Sequence, residues 1–118
     1  MPYISPRPIS QAEVDVLVAT LARAPVIKPN HIELATLNSL TVYSKCECGC
    51  ASIGFLPEEE KSPAETRLLA DGQGRTVTGE EIGVLVYGTD SRVVDMEVYW
   101  YETSAAPLPV ASSIGEPR

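Results

Sequence analysis

The sequence predicts an α+β domain in which one N-terminal amphipathic helix packs on a four- or five-stranded, mainly antiparallel sheet. Three observations predict this class: a capped segment with helical spacing near the amino terminus, a β-forming stretch around residues 41–55, and alternating strands towards residue 101. The 118 residues fit one domain that buries a core without disulfide or metal support. We predict a domain over residues 1–104 and a proline-containing flexible tail over residues 105–118.

The predicted helix covers residues 11–23. Ser10 and Glu13 have the spacing of a capping box, in which each residue's side chain bonds to the backbone of the other. Apolar residues then recur at intervals of three and four, which places one buried stripe along the helix: Val14, Leu17, Val18 and Leu21. Pro25 ends the helix because the residue before a proline is pushed out of helical angles.

The middle of the chain predicts two strands hinged near residues 46–49. Val42, Tyr43, Ile53 and Phe55 are β-forming residues on either side of that hinge. Residues 31–40 also fit the spacing of a second short helix, and the pattern does not decide between the two structures. The acidic run "PEEEKSPAE" that follows is typical of a solvated loop.

The third part of the chain predicts a hairpin or small meander. Asp71-Gly72 is a turn signal, and two alternating strands follow, joined at "GTDSR". Side chains alternate along a strand, so the last strand has a core face and an opposite face. The core face carries Val94, Met96, Val98 and Trp100, and the opposite face carries Asp95, Glu97, Tyr99 and Tyr101.

Charge and composition exclude several classes of partner. The net charge is −7, and the lysines are scattered among acids, which disfavours binding to nucleic acid. No apolar run approaches the roughly 20 residues that span a bilayer, and the amino terminus lacks the apolar core of a signal peptide. We therefore predict a cytoplasmic protein that binds neither nucleic acid nor membrane, and the odd number of cysteines agrees with a reducing compartment.

Four segments in order, "CGCAS", "ADGQGRTVTG", "GVLVYG" and "DMEVYWY", carry a resemblance to a group of small bacterial proteins. In that group a C-G-C-x-S segment precedes a glycine-containing turn and a C-terminal strand that reads like E-V-Y. The similarity covers residues 42–101 and leaves out the helix. Ala51 stands where that group often has proline. The resemblance implies a bacterial origin and brings no activity with it.

The segment "KCECGCAS" concentrates all three cysteines of the chain around one glycine. Zinc needs sulfurs less than ~4 Å apart, whereas alternate side chains of a strand stand nearly ~7 Å apart. Gly49 can fold the segment, so Cys46, Cys48 and Cys50 are candidate metal ligands, with His31 or a carboxylate such as Glu47 as the fourth. Two other interpretations stay open: thiol chemistry, and small thiols packed on one face of a strand. We favour the packing interpretation, because a second pair of ligands is lacking.

Function is predicted from the acidic aromatic stripe of the last strand. Asp95 and Glu97 carry charge beside Tyr99 and Tyr101, and tyrosine is enriched where proteins meet. We predict a protein-binding module with no catalysis and no cofactor of its own, whose partner is another, basic protein or a second copy of the chain. The alternative is a zinc-binding or thiol-dependent protein centred on the cysteines.

Overall fold

The computed structural model describes residues 1–28 and 30–117 and shows an α+β fold with a single sheet. In chain order the elements are β1 (Tyr3–Pro8), α1 (Gln11–Arg23), β2 (Thr41–Lys45), β3 (Ile53–Gly54), β4 (Arg67–Arg75), β5 (Glu81–Gly88) and β6 (Val93–Tyr99). The strands lie in the order β1-β2-β3-β6-β5-β4, and every neighbouring pair is antiparallel. The predicted class is confirmed, and the sheet has six strands where four or five were predicted.

Helix α1 has the predicted bounds and the predicted capping box. The Glu13 backbone N–H donates to Ser10 Oγ at 3.2 Å, and the Ser10 N–H donates to Glu13 Oε1 at 2.9 Å. The Arg7 guanidinium donates to both oxygens of the same carboxylate, at 2.9 and 2.8 Å, and so ties β1 to the start of α1. Among residues 1–28 and 30–117, no helix has the length and apolar character needed to cross a bilayer.

Helix α1 covers one face of the sheet, which we call the inner face. Leu17 of α1 is fully buried against it, and the alternating residues of the central strands form its core. The inner-face residues that are at most 2% exposed include Ile53, Leu69, Ala70, Ile82, Val84, Val86, Met96 and Val98.

The predicted turn at Asp71-Gly72 is wrong, because both residues lie inside β4. The chain turns instead between β4 and β5, where Gly79 has a φ of +92°. Gly72 serves close packing: a Cβ there would lie 3.1 Å from side-chain carbons of Thr20 and Ile114. A glycine inside a strand therefore marks close approach at this position.

The middle of the chain contains the two predicted strands, β2 and β3, joined by a loop over residues 46–52. The open choice for residues 31–40 is resolved as a 3-10 helix at Leu34–Ser39. Most of the acidic run after β3 is exposed, as predicted, and Glu60 makes a bidentate pair with Arg92 at 2.8 and 3.2 Å.

The C-terminal segment, predicted to be a flexible tail, packs against the domain over much of its described length. Ala106 and Ile114 are 4% and 3% exposed. Gln73 and Gly115 exchange two backbone hydrogen bonds, at 2.9 and 3.0 Å, and Arg23 of α1 donates to the Ala111 carbonyl at 3.1 Å. Packing therefore continues beyond the predicted boundary at residue 104, and Arg118 lies outside the described residues.

Candidate functional site

Strand β6 has the two faces predicted from its alternation. Val94, Met96 and Val98 are 4%, 0% and 2% exposed on the inner side, while Glu97 and Tyr99 are exposed on the other. The other side belongs to the sheet face that lies opposite α1, which we call the outer face. The remaining predicted stripe residue, Tyr101, follows the end of β6 and is 93% exposed.

The outer face extends beyond β6 because the neighbouring strands pair with it in register. Tyr87 of β5 lies beside Asp95, and Leu85 lies beside Glu97. Asp71 of β4 lies beside Leu85 in turn. The outer face of the three strands thus joins aromatic, aliphatic and acidic side chains: Asp71, Gln73, Leu85, Tyr87, Asp95, Glu97 and Tyr99.

Tyr99 lies flat on this face, over Gly83 of β5. A Cβ built on Gly83 would collide with the Tyr99 ring, so the glycine provides the space that the ring occupies. The ring remains 45% exposed. Burial, followed by the negative charge of Asp71, raises the pKa of the Tyr99 hydroxyl, and Tyr99 is therefore a neutral hydrogen-bonding group beside acids.

The acids of the outer face also change the pKa of Tyr87. Burial, followed by the charges of Glu97, Asp95 and Asp71, raises the pKa of its hydroxyl. Four side chains from three strands therefore share one electrostatic environment, and the environment is acidic.

Asp95 differs from its neighbours on the outer face. Its Oδ1 atom is buried and has no hydrogen-bond partner in the described part of the chain. Burial, with a smaller effect of Glu97, raises the pKa of this carboxyl from 3.8 to about 6. Asp95 is one of the residues that line a cavity of about 420 Å³, together with Ser44 and Gly54.

The cysteines lie in the loop between β2 and β3, so their interpretation as thiols packed along a strand is wrong. Strand β2 ends at Lys45, and Gly49 adopts a φ of +91°, which only glycine reaches without strain. This turn brings the three Sγ atoms within 4.8 Å of one another. Cys46 and Cys48 form a disulfide with Cα atoms 5.3 Å apart, and Cys50 keeps a free, half-buried thiol.

The cysteine loop lies beside the end of β6. Cys48 and Cys50 line a cavity of about 230 Å³ with Tyr99, Trp100 and Glu102. The Cys50 backbone N–H lies 3.4 Å from Cys48 Sγ as a weak hydrogen-bond donor. The loop and the outer face therefore meet at Tyr99.

His31 is not brought to the cysteines. Its Nδ1 lies 3.0 Å from Asp90 Oδ2, and its side chain is 74% exposed. Asp90 precedes β6, whereas the cysteines adjoin the residues that follow this strand, so the length of β6, ~20 Å at ~3.3 Å per residue, separates the two. Among the predicted metal ligands, the structure groups the three cysteines alone.

Comparison with known proteins gives no match: no protein family, curated protein or solved structure is similar to the chain. The candidate site therefore depends on geometry alone. Asp71, Leu85 and Tyr87 were missed from the sequence. Alternation in "GVLVYG" places Leu85 and Tyr87 on one face, but only the register between strands brings them to the β6 stripe.

Proposed function

We propose that the protein is a protein-binding module that recognises a basic partner through the outer face. The observation that carries the proposal is the cross-strand register that places Asp71, Asp95 and Glu97 around Tyr87 and Tyr99. Tyrosine contributes apolar area and a hydroxyl together, and acids at the same place select for positive charge.

The charges of the face favour a basic partner over a second copy of the chain. A symmetric dimer through this face would bring its acids against the same acids of the other copy, which is repulsive. The whole chain carries a net charge of −7, so long-range repulsion between copies acts in the same direction. Arg75, at the turn end of β4, is paired with Glu81 at 3.6 Å and does not offset these acids.

The aromatic residues supply the area that a partner would cover. Tyr99 is 45% exposed although its ring lies on the sheet, and Tyr101 beyond the strand end is 93% exposed. Two such rings near one another on a protein surface are typical of an interface, because burying them removes apolar area from water. We expect Tyr99 to contribute most, since Gly83 already fixes the position of its ring.

The test compares three single variants in a pull-down from the host and in sedimentation of the purified chain. Glu97→Lys and Tyr99→Ala change the outer face, whereas Glu33→Lys makes the same charge change at an exposed residue outside it whose side chain caps no helix. We expect one basic protein to be retained by wild type and Glu33→Lys and lost from the two outer-face variants. The binding should also weaken as salt is raised.

Two results would contradict this function. One is an identical set of associated proteins for all four chains. The other is a purified wild-type chain that sediments as a dimer and is converted to monomer by Tyr99→Ala, which would assign the face to self-association.

A second candidate function is supported by the three sulfur atoms within 4.8 Å of one another. Reduction of the Cys46–Cys48 disulfide would leave three thiols within 4.8 Å of one another, whereas Zn–S bonds of ~2.3 Å place sulfurs just under ~4 Å apart. The two sulfurs of the former disulfide would therefore have to move apart to bind one zinc ion together with Cys50. Three protein ligands leave a fourth position open to water. The expected cytoplasmic location would favour the reduced form, and thiol exchange through the same disulfide is the other chemistry that this loop supports.

Zinc measured in protein purified without chelator, under reducing conditions, tests the second candidate. A metal site requires about one zinc per chain, lost on replacing Cys46, Cys48 or Cys50 by Ser. His31→Ala serves as the matched control, because His31 lies at the far end of β6, and it should leave the zinc content unchanged. Absence of zinc from the reduced wild-type chain would contradict the metal site, and thiol exchange would be the remaining function of this loop.

A further inference from the structure

The disulfide of the cysteine loop lies where it contributes little to holding the fold together. Cys46 and Cys48 are two positions apart, and the stabilisation that a disulfide gives by constraining the unfolded chain decreases as the loop it closes becomes shorter. Neither residue belongs to a strand, because β2 ends at Lys45 and β3 begins at Ile53. The bond can therefore open and close without breaking the hydrogen bonds of the sheet.

The cysteine loop is fixed on the end of β6 and on the segment that follows it. The Ala51 N–H donates to the Ala106 carbonyl at 2.8 Å. Ser52 is buried, and its Oγ accepts from the Val98 N–H at 2.8 Å. The loop is therefore held in one position beside residues 98–106.

The cavity of about 230 Å³ is lined by the cysteine loop and by this segment, and we call it the cysteine cavity. Its wall is braced by Trp100, whose Nε1–H donates to the Ser104 carbonyl at 2.8 Å. Cys48, which is exposed, and Cys50, which is half-buried, are among the lining residues, whereas Cys46 is not. Among the described residues that line the cavity, Glu102 alone is an acid or a base with full charge at neutral pH. A small molecule in the cavity therefore meets two of the three cysteines and one negative charge.

We propose that the cysteine cavity is a site of thiol–disulfide exchange with a small aminothiol. The inference rests on the thiol exchange of the second candidate function, to which it gives a substrate class, and it is independent of the partner of the outer face. The cavity is smaller than the sites that hold drug-sized ligands, which suits a thiol of a few heavy atoms. The charge of Glu102 favours a thiol that carries an ammonium group over one that carries a carboxylate.

The exchange begins at Cys48, because it is the exposed member of the disulfide. The thiolate of the aminothiol attacks Cys48 Sγ and bonds to it, the Cys46–Cys48 bond breaks, and its electron pair goes to Cys46 Sγ. A second aminothiol thiolate attacks the sulfur of the first, so that the small disulfide leaves and Cys48 departs as a thiolate. The Cys50 backbone N–H, 3.4 Å from Cys48 Sγ, is a weak donor to that thiolate.

The products balance the reaction. Two aminothiols are oxidised to one small disulfide, and the Cys46–Cys48 disulfide is reduced to two thiols. The protons of the aminothiols pass through water to Cys46 and Cys48. The same steps in reverse reduce the small disulfide and restore the bond between the two cysteines.

Cys50 supplies a second way to remove the aminothiol from Cys48. The Sγ atoms of the two residues lie within 4.8 Å of one another, so a short movement of the loop brings them into contact. The Cys50 thiolate then attacks Cys48 Sγ, the Cys48–Cys50 bond forms, and the aminothiol leaves with the electron pair of its broken bond. A molecule bound to Cys48 is thus released even when no second aminothiol arrives.

The first experiment compares three double variants of the full chain that each keep one cysteine. Cys46→Ser with Cys50→Ser keeps Cys48, Cys46→Ser with Cys48→Ser keeps Cys50, and Cys48→Ser with Cys50→Ser keeps Cys46. Each is treated with cystamine in the presence of a chelator, and intact-mass spectrometry follows the aminothiol adduct. We expect the adduct to form about tenfold faster on Cys48, and about threefold faster on Cys50, than on Cys46.

Cys46 is the matched control for Cys50 in this comparison. Both residues are half-buried, and only Cys50 lines the cysteine cavity. Equal rates on these two cysteines would show that the cavity does not direct the reaction and would overturn the proposal.

The second experiment tests the charge of Glu102 on the chain that keeps Cys48. It uses three disulfides that differ in their terminal group: cystamine is cationic, hydroxyethyl disulfide is neutral and dithiodipropionate is anionic. Glu102→Gln should slow the reaction of cystamine about threefold, leave hydroxyethyl disulfide unchanged and accelerate dithiodipropionate. Glu33→Gln removes the same charge from an exposed residue outside the cavity and should change none of the rates. Rates that do not respond to Glu102→Gln would overturn the aminothiol as the substrate.

The wild-type chain shows whether the exchange runs to completion. Reduced wild type treated with cystamine should end with an internal disulfide and no adduct, whereas the chain that keeps only Cys48 should retain its adduct. A lasting adduct on wild type would overturn the exchange.

These measurements use the purified chain alone, so their result is separate from that of the pull-down. Completed exchange by a chain that captures no basic protein would support this inference and contradict the proposed partner. Capture of a basic protein by a chain whose three cysteines react at equal rates would support the proposed partner and overturn this inference.

Discussion

The inner and outer faces of the sheet are built by the same strands and differ in almost every property. On β5 and β6 the inner residues Val84, Val86 and Met96 are fully buried and apolar. Their immediate neighbours along the chain include Tyr87, Asp95 and Glu97 on the outer face. Packing under α1 restricts the inner positions to shapes that fill space, whereas the outer positions are free to carry charge and aromatic rings. In this protein the acidic and aromatic side chains of the outer face lie one residue away from the core.

The largest contrast between the faces is expected in stability. Met96→Ala removes a fully buried side chain and should lower the free energy of unfolding by about 2–5 kcal/mol. Glu97→Ala, at the next position, should change it by no more than about 0.5 kcal/mol. Denaturant melts of the two variants measure both values, and similar losses for the two would show that the outer face is covered in the folded protein.

Asp95 is an intermediate case, because it lies on the outer face and is partly buried. Its pKa is raised from 3.8 to about 6 by folding, so the folded state favours the protonated carboxyl. Protonated Asp95 therefore stabilises the folded state fully at a pH below 3.8, its pKa in the unfolded chain. This stabilisation is lost as the pH rises through about 6, its pKa in the folded protein. Asp95→Asn should therefore become more stable than wild type with rising pH, by on the order of 1 kcal/mol after allowance for solvent screening.

Melts of both chains over a pH series test this expectation. The difference between them should disappear in acid and reach its limit above the folded pKa. A difference that stays constant across the series would mean that Asp95 is not the titrating group.

The smallest expected effect on stability concerns the contact of Tyr99 with Gly83. Gly83→Ala places a methyl group where the Tyr99 ring lies, and the ring can move because it is the free end of a side chain. We expect a change of less than about 1 kcal/mol in stability, with altered NMR shifts of the ring. If the outer face binds a partner as proposed, its affinity should fall although the fold is kept. An unchanged ring spectrum would show that Tyr99 does not lie on Gly83 in solution.

The parts of the fold that depend on local interactions could be predicted from the sequence. Helix α1 was located correctly because Ser10, Glu13 and the apolar spacing act within a few residues of one another. Strand β1 was missed because prolines occupy positions 2, 6 and 8, which lowers any strand prediction from residue type. Its hydrogen bonds come from β2, which lies more than thirty positions later in the chain.

Two glycines led to one correct and one incorrect prediction of local backbone structure, and both outcomes have a physical reason. Gly49 was expected to fold the cysteine segment, and its positive φ does so. Gly72 was interpreted as a turn, whereas it makes room for Ile114 and Thr20 within a strand. The sequence contains the glycine in both cases, and only the long-range contact distinguishes a turn from close packing.

For the candidate site, alternation along β6 was enough to place Asp95, Glu97 and Tyr99 on one face. The register that adds Tyr87 and Asp71, and the cavity beside Asp95, depend on how separate strands align. Nothing local specifies that alignment.

The way in which the C-terminal segment packs has a consequence for how this protein can associate. Strand β4 is the last strand of the sheet, and its free backbone groups are already bonded: Leu69 and Asp71 to residues 24–27, and Gln73 and Arg75 to residues 110–115. At the opposite edge, β1 contains two prolines, which have no N–H to donate. Another chain therefore finds little backbone to extend at either end, which protects the sheet from strand-by-strand growth into aggregates. Any contact that this sheet makes with another protein is thereby left to side chains, and these can be exchanged in evolution without altering the hydrogen bonds that hold the sheet together.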